Sequence, residues 1–186
     1  MKIAILVWGS LYWDPRNLQI TGDWFYGGPS LPIEFARISG DNRLTLVLKP
    51  GFDSVTVLYA ISSHNTFEAA RENLRNRENT PNIDNIGFID FTNNTQQVRP
   101  ANSFIIEILR LWNEDKGFDA ILWSDFSPRF TDIIGRQFSL QNVTAFIDDL
   151  PNNEKQIALS YIRNTPAQVD TRFRKSIEQY FEGVYP

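Results

Sequence analysis

The sequence predicts an α+β fold, and three observations predict it. Short apolar or alternating runs, separated by Gly, Pro and Asn turns, fill residues 3–61, the pattern of short antiparallel strands. Apolar residues then recur at three- and four-residue spacing in segments beginning near Asn65 and Ala101, the period of an amphipathic helix. From about Asn142 the pattern is mostly helical. The 186 residues are enough for one domain with a buried core, and no repeat, low-complexity tract or long linker divides them.

The elements follow in order. Ile3 to Trp8 is an unbroken apolar run that stops on Gly9-Ser10, which predicts a buried strand ending in a tight turn. Asp14-Pro15 supplies an N-cap and first position for a short helical turn. Trp24, Phe25 and Tyr26 precede a break at Gly27-Gly28-Pro29. Leu31 to Ser39 reads as a strand left through Gly40-Asp41-Asn42. Arg43 to Lys49 alternates leucine with Arg43, Thr45 and Lys49, a half-buried strand. After Pro50-Gly51, Val55 to Ile61 is one strongly β-forming run. Strands joined this closely indicate an antiparallel meander or a small barrel.

Asn65 and Glu68 open a helix expected to run to about Glu78, where Pro81 stops it. Ile86 to Phe91 is a further strand and Asn93-Asn94 a turn. Phe104, Ile105, Ile108, Leu111 and Trp112 mark a helix over 101–114, ended by Gly117. Phe118 to Trp123 reads as a strand, and Ser127-Pro128 as the start of a helix reaching Gly135. Helices are predicted over 143–150, 153–163 and 167–181, the last two separated by Pro166. The chain is thus read as a β-rich body with residues 142–186 as a helical extension packed on it.

Composition narrows the function. A net charge of −4 argues against a nucleic-acid or anionic-membrane surface. With no cysteine and a single histidine, His64, the chain lacks disulfides, thiolate or His-rich metal sites and a cysteine nucleophile; composition leaves a carboxylate-only metal site open. The apolar run after Lys2 is too short for a signal peptide, and bulky Trp8, Tyr12 and Trp13 stand where small residues are needed. No stretch approaches the roughly 20 apolar residues of a transmembrane helix. The expectation is a soluble, cytoplasmic protein.

One acidic residue stands apart. At about 100° per residue, Phe67, Ala70 and Leu74 share one face of the 65–78 helix. Glu78, eleven residues beyond Phe67, falls about 20° from that direction, whereas Glu72 lies about 140° away on the solvent side. A carboxyl taken out of water favours its protonated form, which suits a general acid/base working near neutrality. The same position also fits a buried glutamate paired with an arginine. Arg71, Arg75 and Arg77 supply ready partners, and of these Arg71 and Arg75 read as solvated surface charges.

Two segments resemble the γ-glutamylcyclotransferase superfamily, especially its ChaC-type members. Val7-Trp8-Gly9-Ser10-Leu11-Tyr12-Trp13-Asp14-Pro15 resembles the family's opening V-x-x-Y-G-S-L-x-W-x-P, and Leu74-Arg75-Asn76-Arg77-Glu78 its L-x-x-R-E segment. Val57-Leu58-Tyr59-Ala60 resembles the V-x-Y strand that precedes that glutamate helix. Order and separation match too, over roughly the first ninety residues. Trp8 replaces the usual tyrosine, and Asn79-Thr80-Pro81 replaces the Gly-Gly-Tyr of the glutathione-cleaving members. The resemblance implies a small mixed β-barrel with peripheral helices. It implies Glu78 as catalytic acid/base, with a small-molecule γ-glutamyl substrate lying over Gly9, Ser10 and Leu11 beside Trp8 and Tyr59. It implies no cofactor and no metal, and products of 5-oxoproline and a free amine.

Two rival readings use the same residues. A non-catalytic small-molecule-binding or interaction protein on the same fold would use the aromatic group Trp8, Tyr12, Trp13, Trp24, Phe25 and Tyr26. A serine hydrolase would need His64 within hydrogen-bond reach of Ser10 and oriented by a carboxylate. Asp125 extends either site or serves as a turn carboxylate.

Overall fold

The computed structural model describes residues 1–182. In chain order the strands are β1 (Ile3–Val7), β2 (Ile20–Phe25), β3 (Ser30–Ile38), β4 (Leu44–Leu48), β5 (Ser54–Thr56), β6 (Leu58–Ser62), β7 (Ile86–Asp90), β8 (Thr95–Gln97) and β9 (Ala120–Ser124). The helices are α1 (Phe67–Arg77), α2 (Ile105–Glu114), α3 (Phe130–Ile134), α4 (Leu140–Asp149), α5 (Asn152–Asn164) and α6 (Arg174–Phe181). Among the described residues the fold is α+β, with a six-stranded sheet in the order β2-β6-β1-β9-β7-β8 and a three-stranded sheet in the order β4-β3-β5. No helix among them is long and apolar enough to cross a membrane.

β1 lies inside the larger sheet, antiparallel to β6 and parallel to β9. The parallel pair departs from the antiparallel meander that the short turns suggest. It explains why Ile3 to Val7 and Ala120 to Trp123 are continuous apolar runs, all buried, since strands covered on both faces need not alternate. Ile5 is in register with Ala60 on one side and Leu122 on the other, and Leu122 in turn with Phe88. The ring of Phe67, the first residue of α1, packs 4.8 Å from that of Phe88, so this row is the face that α1 covers, and Ala70 and Leu74 are fully buried there.

The expected single strand over 55–61 divides at Val57. β5 pairs with β3 in the smaller sheet and β6 with β1 and β2 in the larger. At the division Gly28 N donates to Val57 O (3.1 Å) and Val57 N to Pro29 O (3.0 Å). A Cβ on Gly28 would run into the Val57 carbonyl, so the crossing strands need glycine there. One antiparallel ribbon therefore runs from sheet to sheet, and no closed barrel is seen among the described residues.

Other differences are local. β2, with mostly exposed ITGDWF, lacks the alternation that marks a half-buried strand. Asp14-Pro15 opens turns rather than a helix. α1 is capped by Thr66, whose hydroxyl accepts from Ala69 N, rather than by Asn65. The helix expected over 101–114 opens as a separate 3₁₀ turn, Pro100–Asn102, and α3 starts at Phe130 rather than at Ser127-Pro128. The helix expected over 167–181 begins only at Arg174. Before it, Thr171 Oγ1 (2.7 Å) and Phe173 N (3.1 Å) donate to the buried carboxylate of Glu34 on β3. Burial pushes the Glu34 carboxyl up, and these bonds together with Phe35 N pull it back.

α5 packs on β4, with α4 and α6 against α5. The expected helical extension thus continues the core, and its last residues, 183–186, lie outside the described residues.

Candidate functional site

β1 and β9 run parallel, and both lead at their carboxyl ends into one cavity of about 490 Å³. Trp8, Gly9, Ser10 and Leu11 line it from the turn after β1, and Ser124 from the last position of β9. Arg77 and Glu78 reach it from the end of α1, Arg37 from β3, Thr45 and Leu46 from β4, and Tyr161 from α5.

Glu78 is the C-cap of α1. Its side chain is 14% exposed and borders the cavity. Oε1 accepts a hydrogen bond from Ser124 Oγ at 2.6 Å. Oε2 accepts from Arg77 Nη1 at 3.4 Å, longer than the 2.7–2.9 Å typical of a strong charge-assisted contact. Glu78 is therefore both paired with an arginine and open to the cavity, so the two alternatives read from helix geometry coexist.

Arg77 joins the two predicted halves of the site. Only 4% exposed, it donates from Nη2 to Ser10 Oγ (3.1 Å) and to Asp14 O (2.6 Å) while Nη1 faces Glu78. The Gly-Ser turn and the glutamate are thus one guanidinium apart. Ser10's hydroxyl is engaged by that clamp.

Tyr161 closes the floor of the turn. A Cβ at Gly9 would lie 2.5 Å from the Tyr161 hydroxyl, so the glycine makes room for a side chain rather than for an unusual backbone angle. Burial pushes the Tyr161 hydroxyl up to about 12, Glu78 adds to this, and the backbone at Leu46 and Ser10 pulls the other way. The Arg37 guanidinium is lowered by burial and by the neighbouring Arg129 and Arg99, with Glu78 opposing.

Of the residues predicted for the site, Trp8, Gly9, Ser10, Leu11 and Glu78 come together at this cavity. Tyr59 does not. It follows Leu58 and precedes Ala60, which is in the α1-facing row, so strand alternation turns Tyr59 to the opposite face. There it stacks on Phe25 (4.9 Å) and meets Trp112 of α2 (5.1 Å), a place in the core.

His64 follows β6 at the end paired with the start of β1, whereas Ser10 follows the end of β1. A five-residue strand, roughly 15 Å long, separates them, which removes the serine-hydrolase arrangement. Asp125 is buried as a loop anchor, accepting from Arg99 N (2.6 Å) and Asn102 Nδ2 (2.7 Å). Arg71, expected in solvent, donates to Ile83 O (3.2 Å), Ile86 O (3.3 Å) and Gln97 Oε1 (2.8 Å). Arg75 does pair at the surface, with Glu72.

Sequence reading missed Arg37, Arg43, Ser124 and Tyr161 as cavity residues. A signal existed for Arg37, a charge inside the otherwise apolar run Phe35-Ala36-Arg37-Ile38. Ser124 and Tyr161 carry none, because only tertiary packing brings β9 and α5 to the turn. Among the described residues no group of three or more His, Cys, Asp or Glu is placed to hold a metal ion.

Chemically, the cavity offers a carboxylate with one donor on each oxygen, a glycine turn with its backbone N–H groups, and several guanidinium groups. That set suits proton transfer on a small anionic molecule. No family model, curated protein or solved structure matches the chain.

Proposed function

We propose that this chain is a γ-glutamylcyclotransferase-like enzyme that cyclises the γ-glutamyl group of a small amide or peptide to 5-oxoproline, with Glu78 as the general acid/base. The observation that carries the reading is the shared cavity, in which the Gly9-Ser10-Leu11 turn and the Glu78 carboxylate are tied together by Arg77. The family's small mixed β-barrel belongs to this proposal. The ribbon that passes from one sheet into the other at Val57 supports it. Asn79 lends further support. It stands where the glutathione-cleaving members have glycine after the glutamate and takes a left-handed φ of 50°, which asparagine tolerates better than most residues.

In this reading Glu78 takes a proton from the substrate's α-ammonium group. The freed amine attacks the γ-carbonyl carbon of the same molecule, closing a five-membered ring. The oxygen on which negative charge develops is assigned to the Gly9-Ser10-Leu11 turn, which lines the cavity beside Glu78. Collapse breaks the bond to the departing nitrogen as Glu78 returns the first proton to it. The freed carboxylate then takes the second proton from the ring nitrogen and passes it to the released amine, which leaves as an ammonium ion, so protons balance and no protein nucleophile is needed. Ser124 and Arg77 hold the carboxylate in place. Ring closure gains from enforced orientation. A positioned base supplies about 10²–10⁴ in rate, and donors on the oxyanion a comparable factor.

The test is a panel of γ-glutamyl amines, γ-glutamyl dipeptides and glutathione, assayed for 5-oxoproline. Glu78→Gln keeps the shape and removes the base, and its rate is expected to fall about 10²–10⁴-fold. A variant as active as the wild type overturns the mechanism. The Arg77–Glu78 contact favours a second reading, a small-molecule-binding protein on the same fold, which predicts that γ-glutamyl compounds bind without being cleaved.

A further inference from the structure

The reaction proposed above uses the turn and Glu78 and leaves the β3–β4 side of the cavity without a task. Four arginines, Arg16, Arg37, Arg43 and Arg77, line the cavity against one carboxylate, Glu78. The lining is therefore formally +3 (4 − 1) in a chain of net charge −4.

These arginines are not equivalent. Arg77 is engaged by Ser10, Asp14 and Glu78. Arg16 and Arg43 pair with Asp14 (2.9 Å) and Asp41 (3.2 Å), whose side chains are 46% and 55% exposed. Contacts this wet are worth about 0–1 kcal/mol and yield readily to a better anion. Arg37 is different. Among the described residues no carboxylate lies within 4.0 Å of it. Its side chain makes one hydrogen bond there, from Nη1 to Ser127 O at 3.3 Å, and its guanidinium lies 4.6 Å from the centre of the Phe126 ring. A half-buried cation with most of its five N–H donors uncommitted is costly in a resting protein and well suited to a planar oxyanion.

The hairpin aims these groups together. A bulge between Phe35 and Arg37 re-aims the strand. Arg37 then stands directly across from Thr45, and Arg43 is two residues from Thr45, so both arginines share one face with it. Both border the cavity. Arg43 is held over the Tyr161 ring at 5.3 Å and keeps a buried Nε without a partner.

We propose that this face is an anion seat, centred on Arg37 and completed by Arg43, that takes a doubly charged acidic end of the amine released from the γ-glutamyl group. A dicarboxylate and a phosphate monoester share the required chemistry. The identity of the group bearing the charge rests on the cyclotransferase reading; the seat itself does not.

Two arms separate the claims. In the first, kcat/KM is measured for γ-glutamylglutamate, γ-glutamylphosphoethanolamine, γ-glutamylglycine and γ-glutamylethylamide. The wild type is expected to favour one or both doubly charged substrates over the glycine and ethylamide compounds by about tenfold or more, and Arg37→Gln is expected to collapse that ratio toward one. Preference for the glutamate or the phosphate compound tells the two sources apart. In the second arm, calorimetry follows glutarate and inorganic phosphate, neither of which reacts. At least one should bind the wild type and lose most of its affinity in Arg37→Gln, with circular dichroism as the check on folding. Arg43→Gln, on the same face, is a second probe with a smaller expected loss. Binding that disappears in Arg37→Gln with no substrate cleaved keeps the seat and overturns the catalytic reading. Cleavage without preference for either doubly charged substrate, or a preference that survives Arg37→Gln, overturns the seat. Neither cleavage nor anion binding removes both.

Discussion

Replacing Gly9 by alanine tests whether α5 closes the site. Gly9 is not among the residues with positive φ, so its backbone accepts alanine and the penalty is steric alone. The new methyl would sit 2.5 Å from the Tyr161 hydroxyl and 3.5 Å from its Cζ. The first distance demands movement; the second is an ordinary contact. Tyr161 has little freedom to withdraw, being 7% exposed and held edge-on by Trp13 at 5.0 Å and Phe35 at 6.4 Å. Overpacking of this kind costs about 1–3 kcal/mol, and each kcal/mol lowers Tm by about 2–4 °C in a chain of this size. Tyr161→Phe removes the clashing oxygen and leaves the ring, so Gly9→Ala should be nearly neutral in that background. Urea unfolding of the wild type, both single variants and the double variant closes the cycle. An equal Gly9→Ala cost in the presence of Tyr161 and of Phe at position 161 would refute the reasoning.

Three other outcomes follow from contacts of Tyr161, Arg77 and Thr171. Burial raises the Tyr161 hydroxyl from 10.0 to about 12, so the unfolded chain ionises first; the stability is fully present below pH 10 and is lost as pH climbs toward 12. Relative to Tyr161→Phe, the wild type should lose about 2 kcal/mol between pH 9 and 11.5 in urea titrations, and parallel curves would show that the hydroxyl titrates as if in water. Arg77→Met leaves Glu78, Ser10 and the Asp14 carbonyl without their shared donor, and breaking such a buried pair should cost about 3 kcal/mol by chemical denaturation; a loss below about 1 kcal/mol would show that Arg77 is not a buried clamp. Thr171→Val takes one donor from the buried Glu34 carboxylate, for an expected loss of about 1–3 kcal/mol, and an unchanged midpoint would mean that the loop before α6 is held otherwise.

The fold was legible in the sequence where local chemistry decides it. The run Ile3 to Val7, the Arg43–Lys49 alternation and the Phe67, Ala70, Leu74 stripe each carry their own period, and each forms the element that period predicts. Legibility failed where a distant partner decides. Residues 167–173 carry helical spacing but are drawn out by Glu34, which lies 137 and 139 positions from Thr171 and Phe173. Val55 to Ile61 is one run by propensity and two strands in fact, because Gly28 lets the partner strand cross at Val57.

The candidate site divides along the same line. Gly9, Ser10 and Glu78 were legible because each sits at the end of a periodic segment, where the chain must turn and a side chain can face inward. Tyr59 was misplaced because a strand turns neighbouring residues to opposite faces, and a short motif does not say which face holds the cavity. Tyr161 was invisible for a deeper reason. Its spacing on α5 is that of an ordinary core residue, and only the packing of α5 on β4 carries its hydroxyl to Gly9. The separation of a β-rich body from a helical extension, drawn from the mostly helical pattern after about Asn142, therefore cuts through the site. The turn needs glycine because of a tyrosine 152 residues away (161 − 9), so the C-terminal helices are part of what shapes the cavity, and a truncation before α5 should be judged by loss of the site as well as by loss of stability.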